Sequence, residues 1–206
     1  MPRAGLDAAA VTEAGAALAD EIGLAGLSMG AVAERLGVRT PSLYKHVASL
    51  ADLQHRIAVL ATVEAGDAMR DATQGRAGQE ALTGAAHALR DYVTSHPGRY
   101  AATVGARSSG DGDPLDPARE RALAALSAVL HGYRLGEADR IHALRMLRSA
   151  LHGFATLEVA DDFQMATDID VSFGWIVAFL DGGLRAAAAA AAEAAADAAA
   201  GGGVDA

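Results

Sequence analysis

The chain has 206 residues, 51% of them hydrophobic and 21% charged, with a formal net charge of −9 and no cysteine. That length fits one large helical domain or a small domain joined to a medium one, and the missing thiols exclude disulfides and thiolate-bound metals while fitting a reducing cytoplasm. No basic-then-apolar leader opens the sequence, and the alanine tract near its end, broken by Glu193 and Asp197, is a poor membrane span, so a soluble cytoplasmic protein without a membrane partner is expected.

Apolar residues recur at helical spacing throughout, and no alternating run is long enough for a strand, so the predicted fold class is all-α. The first helix is predicted over 7–22, with Val11, Ala14, Leu18 and Ile22 on one stripe and Gly23 ending it. Ser28 then caps a short helix whose Met29, Val32, Ala33 and Leu36 share a face. Gly37 supplies the left-handed residue after it, Thr40 is predicted to cap the next helix, and Pro41 to take its first position. Leu43 and Val47 turn inward from that helix, leaving Ser42, Tyr44, Lys45 and His46 outward. Two short helices, a glycine turn and a polar outer face are the parts of a major-groove reader, although a hairpin inside an ordinary bundle would show the same spacing.

A fourth helix starts at the Ser49 cap, repeats Leu50, Leu53, Ile57 and Leu60, and runs to about 73, where the polar stretch 75–78 ends it. Further helices are predicted over 79–95, 97–107, 116–133 and 137–159, the last on Ile141, Leu144, Leu147 or Arg148, Leu151 and Ala155. Residues 108–117, SSGDGDPLDP, read as a loop without means of burying its backbone. A last strong helix begins near Asp168 on Ile169, Phe173, Ile176, Leu180 and Leu184, and the tail from Ala186 is low-complexity. The final two helices have apolar faces broader than one neighbour needs, with Trp175 and Phe179 beside the main stripe, as faces that bury against a partner do.

An acidic total disfavours nucleic acid, but the charge is segregated. Residues 1–27 carry −3, residues 28–56 carry +2, and residues 57–206 carry −8. The positive excess lies where the two-helix motif lies, and the acidic remainder repels phosphate from wrong faces.

Residues 7–60 resemble the N-terminal domain of the TetR family of bacterial transcriptional repressors, through AALADEIGLAGLSM, AVAERLGV and RTPSLYKHVASLADL at their family spacings. The resemblance implies a three-helix helix-turn-helix domain over 1–48, a connecting helix over about 49–73, and a helical bundle over 76–186 for ligand binding and dimerisation, followed by the 187–206 tail. It implies DNA contacts by Ser28, Arg39, Thr40, Ser42, Tyr44, Lys45 and His46, and a homodimer paired through its last two strong helices. Two-fold symmetry would set the recognition helices roughly 34–36 Å apart on a palindromic operator. One departure stands out: Leu50 occupies the loop position where the family often has a phosphate-binding lysine.

The second half, through LRDYVTSHPGRYAATVGAR and RSALHGFATLEV, resembles a TetR C-terminal class named for a Trp-His-Gly motif, with Leu151 where the tryptophan would stand before His152 and Gly153. Tyr92, His96, Tyr100, Arg107, Met146, His152, Phe154 and Trp175 are the candidate pocket for a small-molecule effector, since aromatic and methionine side chains with a few polar groups suit an apolar ligand. Aromatics at helical spacing serve equally as plain core, and His152 could simply bond a neighbouring carbonyl. Gly153 is expected to permit close helix approach.

Catalytic and metal readings fail on spacing. Seven histidines include no HExxH and no i, i+4 pair, and there is no nucleophile elbow, phosphate loop or dinucleotide fingerprint. The GDGDPLD stretch lacks the closing glutamate of a calcium loop. The expected protein is a ligand-responsive DNA-binding repressor, not an enzyme, with no cofactor. The rival reading is a ligand-binding or scaffold dimer without DNA function.

Overall fold

The computed structural model describes residues 6–201, and among them every regular element is a helix. Nine α-helices follow one another in this described part: α1 (Ala8–Ile22), α2 (Met29–Arg35), α3 (Thr40–Leu43), α4 (Leu50–Thr73), α5 (Gly78–Ser95), α6 (Pro97–Ala101), α7 (Leu115–His131), α8 (Glu137–Val159) and α9 (Ile169–Gly201). They build two compact units, one of Met1–Asp67 with Asp91–Ala122, the other of Ala68–Arg90 with Leu123–Ala206. Residues 91–122 therefore group with the N-terminal helices rather than with the rest of the second half.

The first unit is organised around Val11, Val32, Leu43, Leu53 and Ile57, all fully buried. Asp7 starts α1 by accepting from the Ala10 amide at 2.8 Å, satisfying one orphan donor of the first turn. Ile22 is exposed, not part of the buried stripe, because α1 gives way at Gly23 to a short 3-10 turn, Leu24–Gly26, that turns the chain toward α2. The helix expected over 97–107 stops at Ala101, and the following amides bond three residues back, Thr103 to Tyr100 and Val104 to Ala101, as a chain leaving a helix does.

The loop at 108–114 differs from expectation too. Its backbone is anchored by a buried carboxylate: Asp113 accepts from the Ser109 amide and hydroxyl, both at 2.6 Å, from the Leu115 amide at 2.8 Å, and bonds the His55 ring at 2.9 Å. The Ser109 hydroxyl, then the two amides, outweigh burial and, with His55, hold the Asp113 carboxyl well below the usual carboxylate range. A depressed folded-state pKa adds stability above the unfolded value of about 3.9, and that stability is lost as pH falls through the lower folded value. Asp113→Asn is therefore expected to melt below the parent at neutral pH, with the gap narrowing once pH falls below about 4; parallel melting curves from about pH 7 to about pH 2 test it, and a constant gap would remove the carboxylate from the account.

In the second unit Leu82, Leu130, Leu147, Leu151, Phe173 and Leu184 form the buried set. On α8 the buried stripe is Ala143, Leu147, Leu151, Phe154 and Ala155, while Ile141, expected to face inward, is 57% exposed. Near the helix start the inward position falls to Ala143, two residues on, which turns Ile141 outward. Tyr133 donates to Asp181 at 2.6 Å and Arg185 to the other oxygen at 2.8 Å, fixing the middle of α9. α9 continues without a break through the alanine tract to Gly201. By length and composition alone its Ile169–Asp197 segment could cross a membrane, with mean hydropathy 1.3. One side of it, Phe173, Val177, Leu180 and Leu184, is buried within the unit, while only 22% of the apolar window is buried in all.

Candidate nucleic-acid interface

The two-helix motif forms as its residues dictate. Ser28 accepts from the Ala31 amide at 3.2 Å, opening α2, and Met29, Val32 and Ala33 are buried beneath it. The end of α2 is a Schellman turn: Val38 donates to the Ala33 carbonyl and Gly37 to the Glu34 carbonyl, both at 3.0 Å, with Gly37 at φ 65°. A side chain at that φ would be strained, which fixes glycine there. An exposed bidentate pair, Arg35 to Glu21 at 2.7 Å, joins α2 to α1 and adds little energy but sets direction.

α3 is shorter than expected. Arg39, not Thr40, holds the N-cap position, no side chain caps it, and Thr40 is the first helical residue. Regular helix ends at Leu43, after which the His46 amide bonds the Leu43 carbonyl at 2.8 Å and tightens the last turn. Leu43 and Val47 are buried as predicted, and they lock the backbone between them. Arg39 and Lys45 are exposed, Tyr44 is 54% exposed, and Thr40, Ser42 and His46 are half-buried. A rigid turn thus presents a phenol, an ammonium, a guanidinium, hydroxyls and an imidazole, the groups that bond base edges and phosphates.

α4 begins immediately afterwards. Ser49 accepts from the Asp52 amide at 3.0 Å, and Asp52 accepts from the Ala48 amide at 2.8 Å, a reciprocal cap. Burial pushes the Asp52 carboxyl up, but the Ala48 amide and Arg56 more than offset it, leaving it below its ordinary range. Leu50, in the position of the family lysine, is half-buried against the core. This loop position therefore contributes apolar packing rather than charge.

A feature absent from the sequence reading braces this unit. Arg99 of α6 is almost wholly buried; its amide and Nε bond the two Asp20 oxygens at 2.8 Å, and Nη1 bonds Glu64 at 3.1 and 3.2 Å. Nη2 reaches Glu13 at 3.3 Å, and Tyr92 donates to Glu64 at 2.6 Å. Burial disfavours the Arg99 charge, but Glu64 and Asp20 outweigh it and hold the guanidinium above its usual range; burial and then Glu64 push the Tyr92 phenol up. Beside Arg99, Gly98 lets α6 lie directly on α1: a Cβ there would stand 1.8 Å from the Ala19 carbonyl oxygen. One guanidinium thus ties α1, α4 and α6 together.

The eight expected effector residues divide between the units. Tyr92, His96, Tyr100 and Arg107 belong to the first; Tyr92 packs against His96 and Tyr100 with ring centroids 5.1 and 6.4 Å apart, and Arg107 is exposed. Met146, His152, Phe154 and Trp175 belong to the second. Burial, then the charge of Arg148, lowers the His152 pKa. Phe154 is buried against Phe163 and Phe173, whereas Trp175 is 66% exposed and stacks on Phe179, with centroids 5.4 Å apart. Gly153 does not serve close approach within the chain, since a Cβ there meets nothing within 4 Å. Phe154 also lines an apolar cavity of about 210 Å³.

Comparison with known proteins places this architecture. Residues 82–180 match the family model described as "Tetracyclin repressor-like, C-terminal domain". The chain is 32% identical over 182 residues to an uncharacterized HTH-type transcriptional regulator of Bacillus subtilis, YobS, covering 88% of this chain and 94% of the relative. It is 34% identical over 178 residues to an uncharacterized HTH-type transcriptional regulator of Mycobacterium tuberculosis, covering 85% and 80%. A TetR variant from Acinetobacter baumannii, solved in complex with minocycline, shares the fold at TM-score 0.68 and 22% identity over 88% of this chain and 97% of its own. The two relatives, both transcriptional regulators, thus make this all-α chain a transcriptional regulator, a class distinct from enzymes. The chain belongs to the TetR family, whose members bind DNA and form dimers.

Proposed function

We propose that the chain is a homodimeric repressor that reads a palindromic operator through residues 28–46 of each copy and is released by a small molecule. In functional terms, 1–48 bind DNA, 49–73 connect, and 76–186 sense ligand and dimerise, within the cytoplasm. The observation that carries the DNA reading is the polar set Arg39, Ser42, Tyr44, Lys45 and His46 on a turn whose backbone is locked by buried Leu43 and Val47. Tyr44 is assigned to backbone phosphate or a thymine methyl, and Lys45 to phosphate or guanine.

Pairing through α8 and α9 is supported by their uncovered apolar residues, Trp175 and Phe179 at 66% and 67% exposure with Val171 and Ile141. Gly153, Gly174, Gly182 and Gly183, each with open space where a Cβ would stand, leave room for a second copy's helices. Effector binding would favour one spacing of the recognition helices over another, a coupling of about 1–3 kcal/mol. The continuous α4 is the proposed lever.

Selection of bound sequences from a random DNA library, at stated salt, tests the reading; the expected product is a palindrome with half-sites about one turn apart. On that operator, the Tyr44→Ala, Lys45→Ala double variant is expected to lose about a hundredfold or more in affinity, since each base-edge contact contributes about 1–3 kcal/mol. Retained binding by the folded double variant would overturn the contact assignment. The second reading, a helical ligand-binding or scaffold dimer, is favoured by Leu50 in the lysine position and by the −9 charge; recovery of no sequence by folded dimer would favour it.

A further inference from the structure

The cavity of about 210 Å³ beside Phe154 lies in the second unit, with Phe154, Phe163, Met165, Ile169 and Ile176 as its apolar walls. A wider opening of about 600 Å³ shares Phe163, Met165, Thr167 and Ile169 with it and is edged by Arg90, Glu158, Asp168 and Asp170. The two form a shallow charged mouth, itself in the size range of small-ligand sites, over a smaller apolar floor.

The charges at the mouth are unequal. Arg90 is bonded by both oxygens of Glu158 at 2.6 Å and by Asp170 at 2.7 Å, and its guanidinium lies 4.8 Å from the Phe173 ring centroid and 5.6 Å from that of Phe154. Its single positive charge is already met. Asp168 adds a third carboxylate, held in place by accepting from the Asp170 and Val171 amides at 2.8 and 3.1 Å. Three acids face one base, and the Asp170 side chain is 83% exposed. An anion entering here would have to unseat a carboxylate from Arg90 and then sit among the remaining ones. A cation meets an excess of negative charge there, beside the packed pair Phe154 and Phe163, whose centroids are 4.8 Å apart.

We infer that this mouth and floor bind an organic cation with an apolar body, the cationic head among Glu158, Asp168 and Asp170 and the body against Phe154, Phe163 and Ile176. The inference rests on the effector reading above for its regulatory meaning, and names the chemical class of that effector.

The test is calorimetric titration of the full-length protein with three matched probes. These are phenylbutyltrimethylammonium, its neutral analogue with carbon in place of nitrogen, and phenylvalerate. The cation is expected to bind once per chain, about tenfold tighter than the neutral analogue, the scale of a partly desolvated charge contact. The carboxylate is expected to bind weakest. Asp168→Asn with Asp170→Asn, which keeps an N-cap acceptor while removing charge, should erase that tenfold preference and leave the neutral probe unchanged. Ser172→Phe, which fills the apolar end, should weaken all three, with circular dichroism confirming the fold. Equal binding of cation and neutral analogue, tightest binding of the carboxylate, or no binding by folded protein would each overturn the inference. Displacement of the selected operator is read separately: a cation that binds here and leaves DNA bound supports the site and removes the effector reading.

Discussion

Gly98→Ala is expected to destabilise the protein by about 3 kcal/mol or more, at or beyond the upper end for overpacking a close contact. The added carbon would fall 1.8 Å from the Ala19 carbonyl oxygen and 2.5 Å from the Asp20 amide nitrogen, both backbone atoms in the last turns of α1. Neither can swing aside as a side-chain tip would, so α6 must lift from α1. Lifting also breaks the bond from the Arg99 amide to Asp20. Gly30→Ala is the matched control, because the nearest atom to its added carbon is the Ser28 hydroxyl at 3.9 Å. There the expected change is a gain of about 0.5–1 kcal/mol from helix propensity. Urea titrations of both variants compare them directly, and a Gly98→Ala protein within about 0.5 kcal/mol of the parent would refute the close packing of α6 on α1.

Arg99→Met is the second large effect. Methionine fills much of the volume but removes the cation that serves Asp20, Glu64 and Glu13. Breaking one side of a buried ion pair costs about 3–5 kcal/mol, and the lower end applies because Glu64 and Glu13 reach solvent. Arg99→Lys should recover only part of the loss: an ammonium keeps the charge but cannot span Asp20 on one edge and Glu64 on the other. Melting temperatures ordered parent, lysine, methionine support this; lysine equal to arginine would reduce the role to charge alone.

Local rules carried the sequence reading a long way. α8 runs over Glu137–Val159 as expected, α4 starts at the Ser49 cap, and α2 closes at Gly37, because caps and left-handed glycines are written within a few residues of where they act. Stripe reading near helix ends was weaker. Ile22 and Ile141 fit a helical period yet stand exposed, since which side of a helix meets a neighbour is settled by tertiary packing. The outward placement of the polar residues at 39–46 was legible because buried Leu43 and Val47 leave the rest outward. Arg99 was not: its partners lie up to 86 positions away, and nothing in HPGRY distinguishes its arginine from the exposed ones. Asp113 was missed for a related reason, the loop around it being polar enough to look wholly solvated.

The brace at Arg99 also bears on how the molecule is made. Asp20 and Glu13 are translated some 80 residues before the guanidinium that holds them, at separations of 79 and 86 positions. The reading head emerging from a ribosome is therefore incomplete, and its first helix acquires its last neighbour only after α6 has followed. A fragment ending at residue 48 or at residue 73 would lack that neighbour permanently. The helix-turn-helix of this chain is in that sense not a detachable cassette: grafting it onto another scaffold would require carrying the distant HPGRY segment with it.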